Sequence, residues 1–181
     1  MHDHPDWNLV VTAREGTQPE LVRALAPLVR LRRSGFRNVL VGRVDDVEAF
    51  LAAVAAQREC QPFLDNWLAR VLPLERTFPV DVPSLPEVLQ REAEAVLDRL
   101  AGKSFHVRVE RRGHKGVIHT HATEKALGTW VYEALQARGA TPVVDFEDPE
   151  VVLAIELVGD VGGLGLVTRE LSRRYPFVRI D

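Results

Sequence analysis

The chain has 181 residues, of which 46% are apolar and 27% charged, and 23 Lys and Arg against 26 Asp and Glu give a net charge of −3. This composition is typical of a globular protein of one medium or two small domains, and it excludes a wholly disordered chain. The longest stretch without a charged side chain, residues 49–57, is far shorter than the about 20 apolar residues of a membrane-spanning helix. We therefore expect no membrane partner. Because the N-terminus lacks the basic and apolar regions of an export signal, we also expect a cytoplasmic protein.

Charge is distributed unevenly along the chain. Residues 21–44 hold six arginines and no acid, residues 103–125 are net +4 and hold four of the six histidines, and residues 133–160 are net −6. A nearly neutral protein with segregated charge can present a basic surface to a polyanion, although basic runs are also common on solvated surfaces.

Hydrophobic periodicity in the first half predicts alternating strands and helices. The predicted elements are strands at 8–13, 36–44 and 70–78, and helices at 18–29, 45–59 and 62–69. Pro27 is expected to kink or end the first helix, and Pro73 places the last strand near a sheet edge. The order strand–helix–strand–helix–strand indicates a ferredoxin-like α+β domain over residues 1–80.

Residues 79–83 contain two prolines and predict a linker between two domains. The next helix begins with Ser84 and Glu87, which have the spacing of a capping box, and a later one is expected to be capped by Thr123. The predicted elements are helices at 85–100, 123–138 and 166–174, strands at 105–112, 142–146 and 151–158, a glycine loop at 159–165, and a terminal strand or tail at 176–180. The fold class is therefore α+β, with a second, α/β domain at 81–181.

The sequence Gly162-Gly163-Leu164-Gly165 follows a predicted strand and precedes a predicted helix, as the phosphate-binding turn of dinucleotide-binding folds does. That fingerprint needs a further βαβ unit and an acid about 20 residues on, whereas only 16 residues follow Gly165. We therefore expect a tight strand-to-helix turn here, and no nucleotide site.

Three histidines, His114, His119 and His121, raise the question of a metal site, but no acid or thiol lies at metal-ligand spacing from them. Cys60 is the only cysteine, which excludes an intrachain disulfide, and no neighbouring histidine in the sequence marks it as a nucleophile. The chain has no phosphate loop of the full G-x-x-x-x-G-K-S/T pattern, no nucleophile elbow and no H-E-x-x-H. We expect no catalytic residue, no metal and no cofactor.

Residues 103–125 carry the strongest functional signal. Within them Val107 and Val109 alternate with Arg108 and Arg112, so a strand would bury the valines and expose the guanidinium groups. Arginines on a strand that leads to a helix N-terminus suit phosphate binding. The candidate RNA-contacting residues are Lys103, Arg108, Arg111, Arg112, His114, Lys115, His119 and Lys125.

The strand SFHVRVERRG at 104–113 is followed by Leu127-Gly128 in the next helix, by VVDFEDPEVVLAIEL at 143–157 and by a glycine-rich segment. In this order the segments resemble the THUMP domain, an RNA-binding module of tRNA-modifying enzymes and adaptors. The family pattern is an F-x-V-x-x-K/R-R strand, a helix, then V-D-L-x-N-P-D-x-x-I-x-V-E before a glycine-containing turn. The resemblance extends over residues 82–180, and Asp148 stands where the family often has Asn.

The resemblance implies a ferredoxin-like domain ahead of the THUMP domain and binding of the acceptor end of tRNA. A two-domain chain without a fused catalytic domain is similar to the adaptor that helps a tRNA acetyltransferase form N4-acetylcytidine. We therefore expect a non-catalytic tRNA-binding protein. Its expected partners are tRNA and a tRNA-modifying enzyme such as an acetyltransferase.

Other functions stay open from the sequence. The chain is alternatively a subunit of a thiolation or methylation enzyme, or an enzyme subunit or small-ligand protein in which the histidines and the glycine loop do chemistry. A further alternative is a protein-interaction module that uses the acidic residues 145–160 and binds no RNA.

Overall fold

The computed structural model describes residues 6–180, which divide into two compact units. The first unit comprises the chain up to Leu74 together with Leu171–Arg179, and the second comprises Glu75–Glu170. Residues 1–5, where we expect no export signal, lie outside the described part. Within residues 6–180, every helix is too short or too polar to cross a membrane.

The first unit is a four-stranded sheet with two long helices. Its elements are β1 (Leu9–Ala13), α1 (Gln18–Leu25), β2 (Arg32–Arg33), β3 (Val39–Gly42), α2 (Val47–Cys60), a 3₁₀ helix (Pro62–Asn66) and β4 (Leu68–Pro73). The strands are all antiparallel, in the order β2-β3-β1-β4. Because α1 connects β1 to β2 and α2 connects β3 to β4, the chain makes two strand–helix–strand crossovers.

Local sequence signals set the ends of these elements. The carboxylate of Asp46 accepts a backbone N–H three residues on, at 2.9 Å, and so caps α2. α1 ends shortly before Pro27, as expected. The strand predicted at 36–44 is shorter and belongs to a hairpin. Gly35 and Asn38 have φ of +87° and +61°, and they turn the chain back between β2 and β3.

The C-terminal tail packs in the first unit. The carbonyl of Phe177 accepts the N–H of Val71 at 2.9 Å, and the hydroxyl of Tyr175 donates to the Glu48 carboxylate at 2.7 Å. The side chains of Tyr175, Phe177 and Val178 are buried. The sequence places this tail in the second domain, but its three apolar side chains complete the core of the first unit.

The second unit is a five-stranded mixed sheet. Its elements are β5 (Arg76–Pro79), a 3₁₀ helix (Val82–Ser84), α3 (Leu85–Glu94), α4 (Leu97–Leu100), β6 (Ser104–Arg112), α5 (Thr120–Ala137), β7 (Val143–Val144), β8 (Val151–Val158), β9 (Val161–Thr168) and the start of α6 (Arg169–Arg174). The strand order is β5-β9-β8-β6-β7, with β6 parallel to β7 and β8 and the other neighbours antiparallel. Apolar residues of α3, α4 and α5 pack with those of the sheet in one core.

The beginning of this unit differs from the prediction. The strand expected at 70–78 is divided, because β4 ends at Pro73 and β5 pairs with β9 from Arg76 onward. The units therefore meet at 74/75 in the sequence, not at 80/81. The capping box is also wrong: the Asp81 carboxylate accepts the N–H and the hydroxyl of Ser84 at 3.3 and 2.7 Å. The single helix expected after it is interrupted between α3 and α4.

Of the glycines expected in a loop at 159–165, Gly162, Gly163 and Gly165 lie in the strand β9, and Gly159 lies in the turn before it. Gly162 lies opposite Phe78 of β5, and a Cβ atom at Gly162 would lie only 2.2 Å from the Cε2 atom of that ring. Phe78 is almost fully buried. Glycine at this position therefore lets a buried aromatic ring pack directly on the backbone of the neighbouring strand.

We expect Gly162→Ala to destabilise the second unit by about 1–3 kcal/mol, because the methyl group overpacks the Phe78 ring. The matched control is Gly128→Ala in α5, where the nearest atom would lie 3.9 Å from the new Cβ. That change should stabilise the protein by about 0.5–1 kcal/mol. Urea unfolding measures both; equal stability of the two variants would contradict the packing argument.

Candidate functional site

The strand β6 is exposed along most of one edge. It pairs with β8 over almost its whole length, but β7 accompanies it only at Ser104 and Phe105. Beyond that point the N–H of Val109 donates to the Oε1 atom of Glu124, the fifth residue of α5, at 2.9 Å. A helix carboxylate thus takes the place of a strand carbonyl and joins α5 to β6.

Two of the predicted arginines belong to an ionic network on β6. Arg108 and Arg112 both contact the Glu110 carboxylate, with N–O distances of 3.4 and 3.1 Å. Arg108 also lies 3.7 Å from Glu124. The sequence predicts free, outward-facing guanidinium groups, whereas both are partly buried and partly neutralised by the two carboxylates.

Two other predicted residues brace turns. Arg111 donates to the carbonyl of Gly113 at 2.7 Å, at the end of β6. His114 has a φ of +50°, and its Nε2 atom lies 3.1 Å from the carbonyl oxygen of Gly159 and 3.4 Å from the carboxylate of Asp160. Both side chains are engaged within the second unit and are less available to a ligand than the sequence suggests.

Two exposed lysines and two exposed histidines collect around the start of α5. We call Lys115, His119, His121 and Lys125 the cationic rim; all four side chains are exposed. His121 lies 3.9 Å from Glu124, and within the described chain the other three form no ion pair. The loop carrying Lys115 is anchored by the buried side chain of Ile118. These side chains are therefore displayed to solvent from a fixed backbone.

α5 begins one turn earlier than expected. Its N-cap residue is His119, and the hydroxyl of Thr123, predicted to be the cap, donates to the carbonyl of His119 at 2.9 Å. The cap is displaced because the backbone turns at Gly116, with a φ of +79°, and Ile118 is then buried. The free N–H groups of the first turn consequently lie among the residues of the cationic rim.

Lys103 is separated from the other predicted residues. It precedes the first residue of β6, whereas Lys115 follows the last one. A strand of nine residues spans about 26 Å at about 3.3 Å per residue. Lys103 and Lys115 therefore lie at opposite ends of β6, whereas His119 and Lys125 belong to the start of α5, which follows Lys115 in the sequence.

A groove opens beside the cationic rim, between α3 and α5. Its volume is about 280 Å³, and it is mostly apolar, with His119 and Thr123 among its polar residues. Its lining includes Leu85, Leu89, Val117, Ala122 and Ala126. Within residues 6–180, no group of three or more His, Cys, Asp or Glu side chains is arranged to hold a metal ion.

Residues 86–167 match the family model of the THUMP domain. The sequence resemblance is confirmed to that extent, and both the cationic rim and the ionic network lie within the matched residues. No curated protein sequence matches the chain.

Solved structures share the fold of the chain. TrmN from Thermus thermophilus is 20% identical with a TM-score of 0.64, over 94% of this chain and 48% of that protein. A Pyrococcus horikoshii protein is 9% identical with a TM-score of 0.56, over 89% and 55%. A 4-thiouridine synthetase, solved as an RNA complex with bound ATP, is 11% identical with a TM-score of 0.52, over 90% and 41%. The chain thus spans about half the length of these proteins or less.

The two carboxylates that organise the site are not among the residues predicted from the sequence. Glu110 has a visible signal, because it lies two residues from Arg108 and from Arg112, on the same face of a strand. Glu124 has none, since its hydrogen bond to Val109 depends on where β7 ends and how α5 packs.

We expect Glu124→Ala to lower the free energy of unfolding by about 1–3 kcal/mol, because the partly buried N–H of Val109 loses its acceptor. Glu124→Gln retains a carbonyl oxygen and should lose less. Glu133→Ala, at an exposed position of α5, is the control and should change stability by about 0.5 kcal/mol or less. If denaturant unfolding shows that Glu124→Ala behaves like the control, the carboxylate does not hold the strand edge.

Proposed function

We propose that this chain binds tRNA at the acceptor end and presents it to a modification enzyme, without carrying out the chemistry itself. The modification we favour is N4-acetylcytidine formation by a tRNA acetyltransferase, and the location we propose is the cytoplasm. The observation that carries the proposal is the THUMP match, together with the unpaired cations displayed inside it.

The cationic rim has the chemistry of a phosphate-binding surface. Lys115 and Lys125 are exposed point charges, and His119 stands at the start of a helix whose first N–H groups favour anions. The adjoining apolar groove offers a surface for an unstacked base, which is how proteins commonly read single-stranded RNA ends. A charged rim beside an apolar groove therefore fits an RNA end better than a metabolite.

We further propose that the first unit is a ferredoxin-like domain. Its antiparallel strand order β2-β3-β1-β4 and its two helical crossovers agree with that fold. Arg30, Arg32 and Arg33 are exposed beside or within the β2–β3 hairpin, and they provide a second set of phosphate contacts in this proposal.

The proposal of a non-catalytic role is supported by the engagement of the carboxylates near the cationic rim. Glu110 and Glu124 are bound to arginines and to a backbone N–H, so neither is free to serve as an acid or base. The second candidate is the RNA-binding part of a methylation or thiolation system. It is favoured by the fold shared with TrmN and with the 4-thiouridine synthetase.

We expect the chain to bind tRNA with an affinity that falls steeply with salt, because each neutralised phosphate contributes a slope of about −0.9 for duplex or −0.7 for single strand in log K against log salt. Replacing Lys115 and Lys125 together by alanine should weaken binding and make this slope shallower. Lys103→Ala, at the other end of β6, is the control and should leave both unchanged. Equal effects of all three lysines, or a salt-independent affinity, would contradict the rim as the RNA site.

We also expect the purified chain, given tRNA and acetyl-CoA, to form no N4-acetylcytidine. Adding an adaptor-dependent tRNA acetyltransferase should yield the product, and the Lys115/Lys125 double variant should lower the yield because it delivers less tRNA. Mass spectrometry of digested tRNA measures the nucleoside. Turnover by the chain alone would refute the adaptor role. Stimulation of a methyltransferase or a thiolation enzyme in place of the acetyltransferase would favour the second candidate.

A further inference from the structure

A second surface lies at the other end of β6, around its short neighbour β7. Three large apolar side chains remain exposed within four residues: Val143 at 54%, Val144 at 41% and Phe146 at 76% of their full area. We call these three residues the apolar edge. Contiguous exposed apolar surface on a soluble protein commonly marks an interaction site.

Phe146 is held outward by a fixed turn. The Asp145 carboxylate accepts the N–H groups of Glu147 and Asp148 at 2.9 and 3.1 Å. Those hydrogen bonds, that of Asp148 first, hold the pKa of Asp145 below its usual range, so the carboxylate is ionised at neutral pH. The Phe146 ring lies 5.6 Å from the ring of His106. An aromatic side chain already fixed in place loses little freedom on binding.

The same turn is tied to the rest of the unit at both ends. The N–H of Asp145 donates to the carbonyl of Phe105 at 3.0 Å. Ser104 and Glu150 exchange two hydrogen bonds, from the N–H of Ser104 to the Glu150 carboxylate at 2.7 Å and from the N–H of Glu150 to the Ser104 hydroxyl at 3.0 Å. The apolar edge is consequently a constant feature of the folded unit.

The surroundings of the apolar edge are acidic. The turn carries the carboxylates of Asp145, Glu147, Asp148 and Glu150. Two cations lie beside it: Arg169, which contacts Asp148 at 3.0 Å, and Lys103, which precedes Ser104. Negative charge is therefore in excess, which repels RNA phosphates and attracts lysine and arginine.

The open backbone edge of β7 determines how an extended segment would be oriented on this surface. β7 is the last strand of its sheet, and its outer edge pairs with no other strand of the described chain. An extended segment can continue a sheet at such an edge, with its side chains alternating between the two faces. Val143 and Val144 are consecutive and lie on opposite faces of β7, so apolar side chains on one face of that segment would meet one valine. The Lys or Arg side chains on its other face would approach the carboxylates of the turn.

From these observations we infer that the apolar edge docks an extended segment of a protein partner, in which apolar side chains alternate with Lys or Arg. The inference rests on the proposed function, in which the chain works beside a separate enzyme. It assigns that enzyme contact to the end of β6 opposite the cationic rim.

The test uses the isotope-labelled full chain and two hexapeptides, Lys-Val-Lys-Val-Lys-Val and the charge-reversed Glu-Val-Glu-Val-Glu-Val. We expect the lysine peptide to shift the backbone amide signals of residues 143–148, to leave those of the cationic rim in place, and to bind less tightly as salt is added. The glutamate peptide should shift neither set. No shift at 143–148 with the lysine peptide at millimolar concentration would overturn the inference.

Two variants separate docking from a structural role. Phe146→Ser should weaken lysine-peptide binding by about tenfold, as loss of a central aromatic anchor commonly does, whereas Phe63→Ser, at an exposed phenylalanine of the first unit, should leave it unchanged. Glu147→Lys should weaken the lysine peptide and let the glutamate peptide bind. A merely structural role for the turn cannot produce this exchange of peptide preference. If Glu147→Lys does not exchange the preference, the charge argument is wrong.

Other occupants give different outcomes. If Phe146→Ser lowers tRNA affinity while Phe63→Ser does not, the apolar edge is an RNA platform and the inference is wrong. If the parent chain self-associates and Phe146→Ser is monomeric by light scattering, a second copy occupies the edge and the inference is again wrong. Failure of the parent chain to bind tRNA would refute the proposed function instead, and would leave the peptide result standing.

Discussion

A single carboxylate joins the strand and the helix that carry the cations of the second unit. Glu124 accepts the N–H of Val109 at the point where β7 no longer accompanies β6. An unpaired strand edge would otherwise be left to water or to another chain. Because Glu124 is the fifth residue of α5, the same hydrogen bond helps to position His119 and Lys125 relative to the sheet. The position of the cationic rim therefore depends on the hydrogen bond that pairs the open edge of β6 with α5.

Electrostatics divides β6 into three zones. In its middle and toward its end, Arg108 and Arg112 share Glu110, so little net charge remains. The cationic rim follows the end of the strand, and the acidic turn at Phe146 lies near its beginning. The two ends are about 26 Å apart along the strand, several times the about 8 Å screening length of physiological salt. A chain of net charge −3 therefore carries two surfaces of opposite charge that are screened from each other.

Much of the fold is readable from the sequence where the causes are local. The apolar run of β8, the alternation along β6 and the Asp46 cap of α2 each lie within a few neighbouring residues. The strand β9 is not predicted because glycine has low strand propensity. Glycine stands at position 162 because the ring of Phe78, more than eighty residues earlier in the sequence, packs against the backbone there. Thr123 is mistaken for a cap because the true start of α5 depends on the burial of Ile118.

The candidate site is likewise predictable from the sequence only where its causes are local. Residue type and alternation identify the cationic stretch and the outward face of β6. They do not reveal that Arg108 is neutralised across the strand edge by Glu124, or that the ring of His114 reaches the carbonyl of Gly159. Each of these facts depends on which elements become neighbours in space, and the linear pattern carries no record of it.

The return of the tail to the first unit has a consequence for biosynthesis. Val71 and Phe177 are hydrogen-bonded partners, yet the whole second unit is translated between them. The first half of the chain therefore emerges from the ribosome with an unfinished core, and closing it requires bridging a loop of roughly a hundred residues, with a correspondingly unfavourable closure entropy. When the second unit is already folded, most of that loop is a compact domain, and its closure costs less entropy. The first unit therefore receives its last core residues only after the whole second unit has been synthesised.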